Sequence, residues 1–314
     1  MMLRGQESKE RSNSVSLCKR AITFVLLFAS SMFVVVGHAS SGTDIRVSDT
    51  GTLSIRMVFP TEHVAIRGTG GDVGGVNVEL NRGEYSESLA GVRNIVITAW
   101  GTEKFIDVQG ITISGDLTIR TGFEGDVISI GRTSVRSNLK VVTGGGDDYI
   151  GIDRVFVGDR ATLLTGAGDD YVPMRNAFVS GVFRLLTGVG ADVVSISDTD
   201  FESNTNIKTG EGDDVLISSS VNTFGVARLF TGAGNDLMNL NRSQFGQNLT
   251  IYTGADDDVL EMRQNTVSGN AVLGGAAGLA DVYRYDGLNE FFMQSEIIGF
   301  EIFSPLAIET DILN

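Results

Sequence analysis

The chain has 314 residues, with 39 acidic side chains against 24 basic ones, 40 glycines, three prolines, two histidines and one cysteine, and a net charge of −15. So acidic a surface argues against nucleic acid as a partner, and a lone cysteine excludes a disulfide or thiolate-metal framework. Two histidines leave little for imidazole triads or histidine-rich zinc sites.

Residues 1–39 read as a secretory signal: a basic stretch ending at Lys19 and Arg20, an apolar run from Ala21 to Val36, and the small-residue site Gly37-His38-Ala39. The apolar run is shorter than the roughly 20 residues that span a bilayer, so no transmembrane segment is expected after cleavage behind Ala39. Residues 1–39 hold five basic and two acidic side chains, so the mature chain carries about −18, keeps only His63 and has no cysteine. The expected location is secreted or cell-surface, the periplasm included.

Residues 40–97 alternate like strands without a full motif and are expected to form an N-terminal cap or degenerate coils, and Thr98-Ala99-Trp100-Gly101 looks like a decayed repeat one residue out of phase. From there to residue 270 the block Thr-Gly-x-Gly-Asp-Asp returns every 22 residues, starting at Thr121, Thr143, Thr165, Thr187, Thr209, Thr231 and Thr253. With each threonine as position zero, glycine fills +1 and aspartate fills +5 in every unit. Position −2 runs Ile119, Val141, Leu163, Leu185, Ile207, Leu229, Ile251, and +7 runs Ile128, Ile150, Val172, Val194, Leu216, Met238, Leu260. Together with the mostly apolar columns at +9 and +14, these steps of two predict short strands with alternate residues facing inward.

One such unit cannot bury its own apolar face, whereas stacked units share a continuous core. The expected fold is all-β: a right-handed parallel β-helix of 22-residue coils, about 4.8 Å apart, with caps at both ends. Polar pairs at −6 and −5, such as Ser137-Asn138, supply a second corner. Residues 271–314 are expected to form the C-terminal cap, with Phe291 to Phe303 as its candidate core.

The stretch Thr231-Gly232-Ala233-Gly234-Asn235-Asp236-Leu237-Met238 resembles the first eight positions of the glycine-rich nonapeptide of RTX (haemolysin-type) calcium-binding proteins, with threonine for the first glycine. The resemblance implies calcium held between successive turns of an exported β-structure. Carried over, the ligating carboxylates are Asp126, Asp148, Asp170, Asp192, Asp214, Asp236 and Asp258, with carbonyl donors near Gly122 to Gly125 and their counterparts. At +4, Asp147, Asp169, Asp213 and Asp257 add a second acidic column, and oxygen ligands without histidine or cysteine favour calcium over zinc or copper. A second reading has each +5 aspartate accepting backbone N–H groups of its own glycine-rich turn.

Positions −3 and −1 should point outward on the strand before the acidic turn. They gather Arg120, Lys140, Arg184, Lys208 and Arg228 with Phe230 and Tyr252, a basic and aromatic face on an acidic chain, expected to meet an anionic glycan or a surface protein. No catalytic residue stands out, because a catalytic coil should interrupt the repeat and the spacing holds through seven units. The expectation is an exported structural or interaction protein, the alternative a polysaccharide-binding or polysaccharide-degrading β-helix protein.

Overall fold

The computed structural model describes residues 33–38, 43–57, 63–71, 73–83, 85–275, 280–300 and 302–305, the first and last of these by backbone course alone. It is a parallel β-solenoid whose coils repeat every 22 residues. Strand after strand pairs i with i+22, as in Leu139↔Ala161, Ala161↔Phe183, Phe183↔Thr205 and Thr205↔Ala227. These strands belong to a 13-stranded sheet formed by the segment before each acidic turn. The segment after the turn builds a second parallel face, with Ile128↔Ile150 and Val194↔Leu216 in register.

The core lies between the two faces and contains what the spacing predicts. Positions −2 and +7 are buried in all seven units, as are +9 and +14, where Ser218 and Thr223 replace apolar residues. Each inward side chain rests on its counterpart one coil away, so burial and register enforce each other: a one-residue slip would turn the whole column to solvent.

Three corners close each coil. The first is the Gly/Asp turn, and the second is the −6/−5 pair, where Asn138 Oδ1 accepts the Arg160 N–H at 3.3 Å and Asn204 Oδ1 the Val226 N–H at 2.9 Å. The third falls at +11, where Arg132, Arg154, Asn176, Asp198, Ser220, Arg242 and Gln264 all have φ between 48° and 55°. This left-handed residue bends the chain into the +14 segment, which is a separate short strand at Phe178–Val179, Gln244–Phe245 and Thr266–Val267.

At the N-terminal end, Thr52–Met57 and His63–Gly68 stack in parallel on Asn94–Ala99 and Phe105–Gln109, so residues 40–97 contribute strands to the coil. Both sheet edges are then finished by antiparallel strands: Asp44–Ser48 on one, Val76–Leu80 and Tyr85–Leu89 on the other. Covering an open parallel edge in this way blocks pairing with other chains. Phe33–His38 pairs antiparallel with Asp44–Ser48; cleavage behind Ala39 would remove it and leave Asp44–Ser48 as the edge. The rest of residues 1–39, Ala39 included, lies outside the described residues.

At the other end the parallel stack runs on past residue 270, with Ala271–Gly274 on Ser295–Ile298 and Val282–Tyr285 on Ile302–Pro305. Residues 276–279 of the degenerate turn, Glu301 and the segment after Pro305 lie outside the described residues. Among the described residues no helix is long and apolar enough to cross a membrane.

Candidate functional site

The seven +5 aspartates form one buried line through the solenoid, each at most 2% exposed. The Oδ1 atom of each accepts the backbone N–H of the +5 residue one coil earlier: Asp126 to Asp148 at 2.7 Å, Asp148 to Asp170 and Asp170 to Asp192 at 2.9 Å, Asp192 to Asp214 and Asp214 to Asp236 at 2.8 Å. The line continues from Asp236 to Asp258 at 2.9 Å and from Asp258 to Asp281 at 3.0 Å. The backbone acceptance expected of these residues is thus present, but its donor belongs to the neighbouring coil and not to the same turn. At +5 the chain bends off the strand, and the carboxylate one coil on supplies the partner a buried N–H requires.

Two residues at the ends were not singled out in the sequence. Lys104, 1% exposed, occupies the +5 place of the decayed first unit and gives its backbone N–H to Asp126 Oδ1 at 2.7 Å, while its ammonium is held by Thr102 O at 2.6 Å. Its position 22 residues before Asp126 was legible. Asp281 was hidden because one extra residue in the degenerate turn moves it off the 22-residue count.

The +4 column sits on the surface and its bonds run the other way. Asp147 Oδ1 accepts the Asp169 N–H at 2.9 Å, Asp169 Oδ1 the Ala191 N–H at 2.8 Å, Asp213 Oδ1 the Asn235 N–H at 2.8 Å and Asp257 Oδ1 the Ala280 N–H at 3.1 Å. Adjacent carboxylate columns therefore clamp each coil to both neighbours.

The second oxygen of each +5 carboxylate, Oδ2, is buried and makes no hydrogen bond. Burial drives the carboxyl toward its neutral form, raising Asp148, Asp192 and Asp236 to about 7 and Asp258 to about 6. The neighbouring backbone N–H that Oδ1 accepts pulls the other way, and the charge of adjacent aspartates adds to the rise. Asp126, Asp170 and Asp214 shift upward for the same leading reason. The threonine hydroxyls from Thr121 through Thr231 give their protons to the next coil, from Thr121 Oγ1 to Thr143 O at 3.3 Å through Thr231 Oγ1 to Thr253 O at 2.7 Å, and Thr253 does not continue the series. The lone pair of each donating hydroxyl is left as the natural acceptor for a protonated Oδ2.

A calcium ion needs roughly six to eight converging oxygens. Here Oδ1 in both columns is committed to backbone amides, and turn carbonyls are committed too: Gly145 N–H to Gly122 O at 3.2 Å, Gly190 N–H to Glu211 O at 2.8 Å, Gly212 N–H to Ala233 O at 2.7 Å. Among the described residues no three His, Cys, Asp or Glu side chains converge on a point that would hold a metal ion. Among the described residues the buried oxygens of the aspartate columns left without a partner are the single row of Oδ2 atoms, one per coil, fewer than a calcium ion takes at one point. In a thermal melt, calcium is therefore expected to move the midpoint no further than equal magnesium; a calcium-selective rise abolished by Asp170→Asn would reinstate the metal.

The basic face is on the surface as expected, in two groups. Arg120 and Lys140 lie in the first two units, and a unit bearing Thr162 and Leu164 separates them from Arg184, Lys208 and Arg228. In the second group Arg184, Asn206 and Arg228 stack in register, beside a column of Leu186, Lys208, Phe230 and Tyr252. The Lys208 ammonium lies 5.0 Å from the Phe230 ring centre, and the Phe230 and Tyr252 rings stack at 5.9 Å. Among the described residues none of the five cations closes an ion pair.

Compared with protein-family models, curated proteins and solved structures, the chain finds no match in any of the three. The likeness to the RTX repeat therefore stays at the level of the eight-residue turn.

Proposed function

We propose that the chain is an exported structural and interaction protein: a stiff, non-catalytic solenoid that holds an anionic glycan on the outer face of its long sheet. The observation that carries this reading is the five cations without ion pairs, in two groups on one strand face, of a chain with a net charge of −15. Cations facing solvent in a negative field are the ordinary mark of an anionic partner. The Lys208, Phe230 and Tyr252 column adds ring faces for the apolar side of a sugar. The unbroken 22-residue register through seven units supports a non-catalytic role, since no regular coil departs from the rest to build a singular site.

Binding of sulfated and uronate polysaccharides to immobilised protein tests the proposal. Wild type is expected to bind with an affinity that falls as salt rises. The triple variant Arg184→Glu, Lys208→Glu, Arg228→Glu is expected to lose at least tenfold, while the glycan keeps its chain length on prolonged incubation. Binding that ignores the triple variant defeats the proposed face, and shortening of the glycan would restore the degrading-enzyme alternative. Capture of an acidic surface protein in place of any glycan would change the partner and keep the face.

A further inference from the structure

Away from the cationic row, the outer surface of the second face opens into a cleft of about 500 Å3 spanning five successive strands, from Gln109 to Ser197. That volume lies in the range of small-ligand sites, and the five strands extend it over about 19 Å. The cleft has a floor of small residues, Ser129, Gly151, Pro173 and Ser195, in consecutive coils.

One wall is aromatic. Tyr149 and Tyr171 stand in register one coil apart, with ring centres 5.7 Å apart in an edge-to-face arrangement. Both rings are substantially exposed, and neither hydroxyl is hydrogen-bonded within the described residues. Tyr149 lies down across Gly151: a Cβ there would come within 2.7 Å of the ring, so the glycine makes the pose available. The opposite wall is polar. Arg175 Nε donates to Asp153 Oδ1 at 3.0 Å, and the Arg175 side chain is 64% exposed. Gln109 Nε2 donates to Asp107 Oδ1 at 3.0 Å and Ser129 Oγ at 3.3 Å, holding the amide over Gly131, a position that any Cβ would obstruct.

We propose that this cleft is a second binding site, for an uncharged oligosaccharide lying along the solenoid axis. Aromatic faces on one side serve the apolar faces of sugar rings. Paired donors and acceptors on the other, Gln109, Asp153, Arg175 and Ser197, serve vicinal hydroxyls. The charge argues for an uncharged ligand: of the side chains lining the cleft only Asp153 and Arg175 are ionised, they pair with each other at 3.0 Å, and the second oxygen of Asp153 is taken by Arg154, outside the lining, at 3.2 Å. The cleft is therefore distinct in both place and chemistry from the cationic face of the long sheet, and neither proposal depends on the other.

The test is calorimetric titration of the full mature chain with gluco-, xylo- and manno-oligosaccharides of graded length, with tyrosine absorbance as a second signal and a uronate oligosaccharide as the charged arm. One of the uncharged series is expected to bind more tightly as it lengthens and then to level off. Tyr171→Ala is expected to weaken binding at least tenfold, and Ser195→Trp, which fills the floor, to abolish it. The triple reversal at Arg184, Lys208 and Arg228 should leave it unchanged. Circular dichroism melts of the variants are the control that the coils remain intact. Absence of binding by all three uncharged series, binding of the uronate alone, or binding indifferent to both cleft variants would each overturn the proposal.

Discussion

Lowering the pH from 8 to 5 is expected to raise the melting midpoint of the solenoid by about 5 to 10 °C, against the usual loss of stability on acidification. The cause is the buried aspartate line. Like charges about 4.8 Å apart repel by only about 0.9 kcal/mol in water but by about 3.5 kcal/mol at an effective dielectric of 20. The +5 carboxyls are buried, so the larger figure governs and a fully ionised line is disfavoured. Asp148, Asp192 and Asp236, raised from 3.8 to about 7, keep protons in the fold that the unfolded chain has released. The native state then binds more protons than the unfolded state, so the contribution of these groups to stability is fully present below about pH 4, declines through the interval and is lost above about pH 7. For an isolated carboxyl, each tenfold gain in proton affinity on folding corresponds to about 1.4 kcal/mol. The aspartates titrate as a coupled set, so the total is far less than a sum over isolated groups.

Substitution separates this account from a simple reduction in net charge. Asp192→Asn keeps an oxygen for the Asp170 N–H and offers an amide N–H toward the Thr187 hydroxyl, as a neutral aspartic acid would. It is expected to stabilise at pH 8 by about 1 kcal/mol, from the ionisation cost it removes, and to be close to neutral at pH 5. Asp192→Ala strands a buried N–H and should cost about 1–3 kcal/mol at both pH values. If urea melts show Asp192→Asn as damaging at pH 8 as Asp192→Ala, the line holds charge and not protons.

The columns that set the fold were legible because a parallel stack converts sequence period directly into contact. Each buried residue at −2, +7 and +14 meets the residue 22 positions on, so regularity in the chain is regularity in space. The +5 aspartates were recognisable as a site for the same reason. The direction of their bonds was not: a bond to the same turn and a bond to the coil beside it leave the same spacing in the sequence. The +11 corner was hidden because glycine, the usual mark of positive φ, is absent there, and Arg, Asn, Asp, Ser and Gln take the conformation at about 1–2 kcal/mol each. The cleft on the second face was hidden because Tyr149, Tyr171, Gly151 and Ser195 belong to columns whose residue types change from coil to coil, and only the register brings them together.

Glycine at +1 is present in every unit, yet two of these glycines should answer very differently to replacement. Gly232 has φ of 129°, and a Cβ on it would be driven into the Gly210 carbonyl, an oxygen fixed by the stacked strands. Neither atom can retreat without breaking the coil-to-coil pairing, so Gly232→Ala combines about 1–2 kcal/mol of left-handed strain with about 1–3 kcal/mol of overpacking. Gly122 has the same place in the motif but lies over the decayed first unit, where a Cβ would meet nothing nearer than 3.8 Å, and its φ is outside the left-handed region. Gly122→Ala is therefore expected to fold and melt like wild type, while Gly232→Ala should melt many degrees lower or fail to accumulate. Equal tolerance at both positions in parallel melts would mean that the glycine column serves only to turn the chain. Failure of Gly232→Ala alone would show that it also lets successive coils approach each other closely enough to align the buried aspartates.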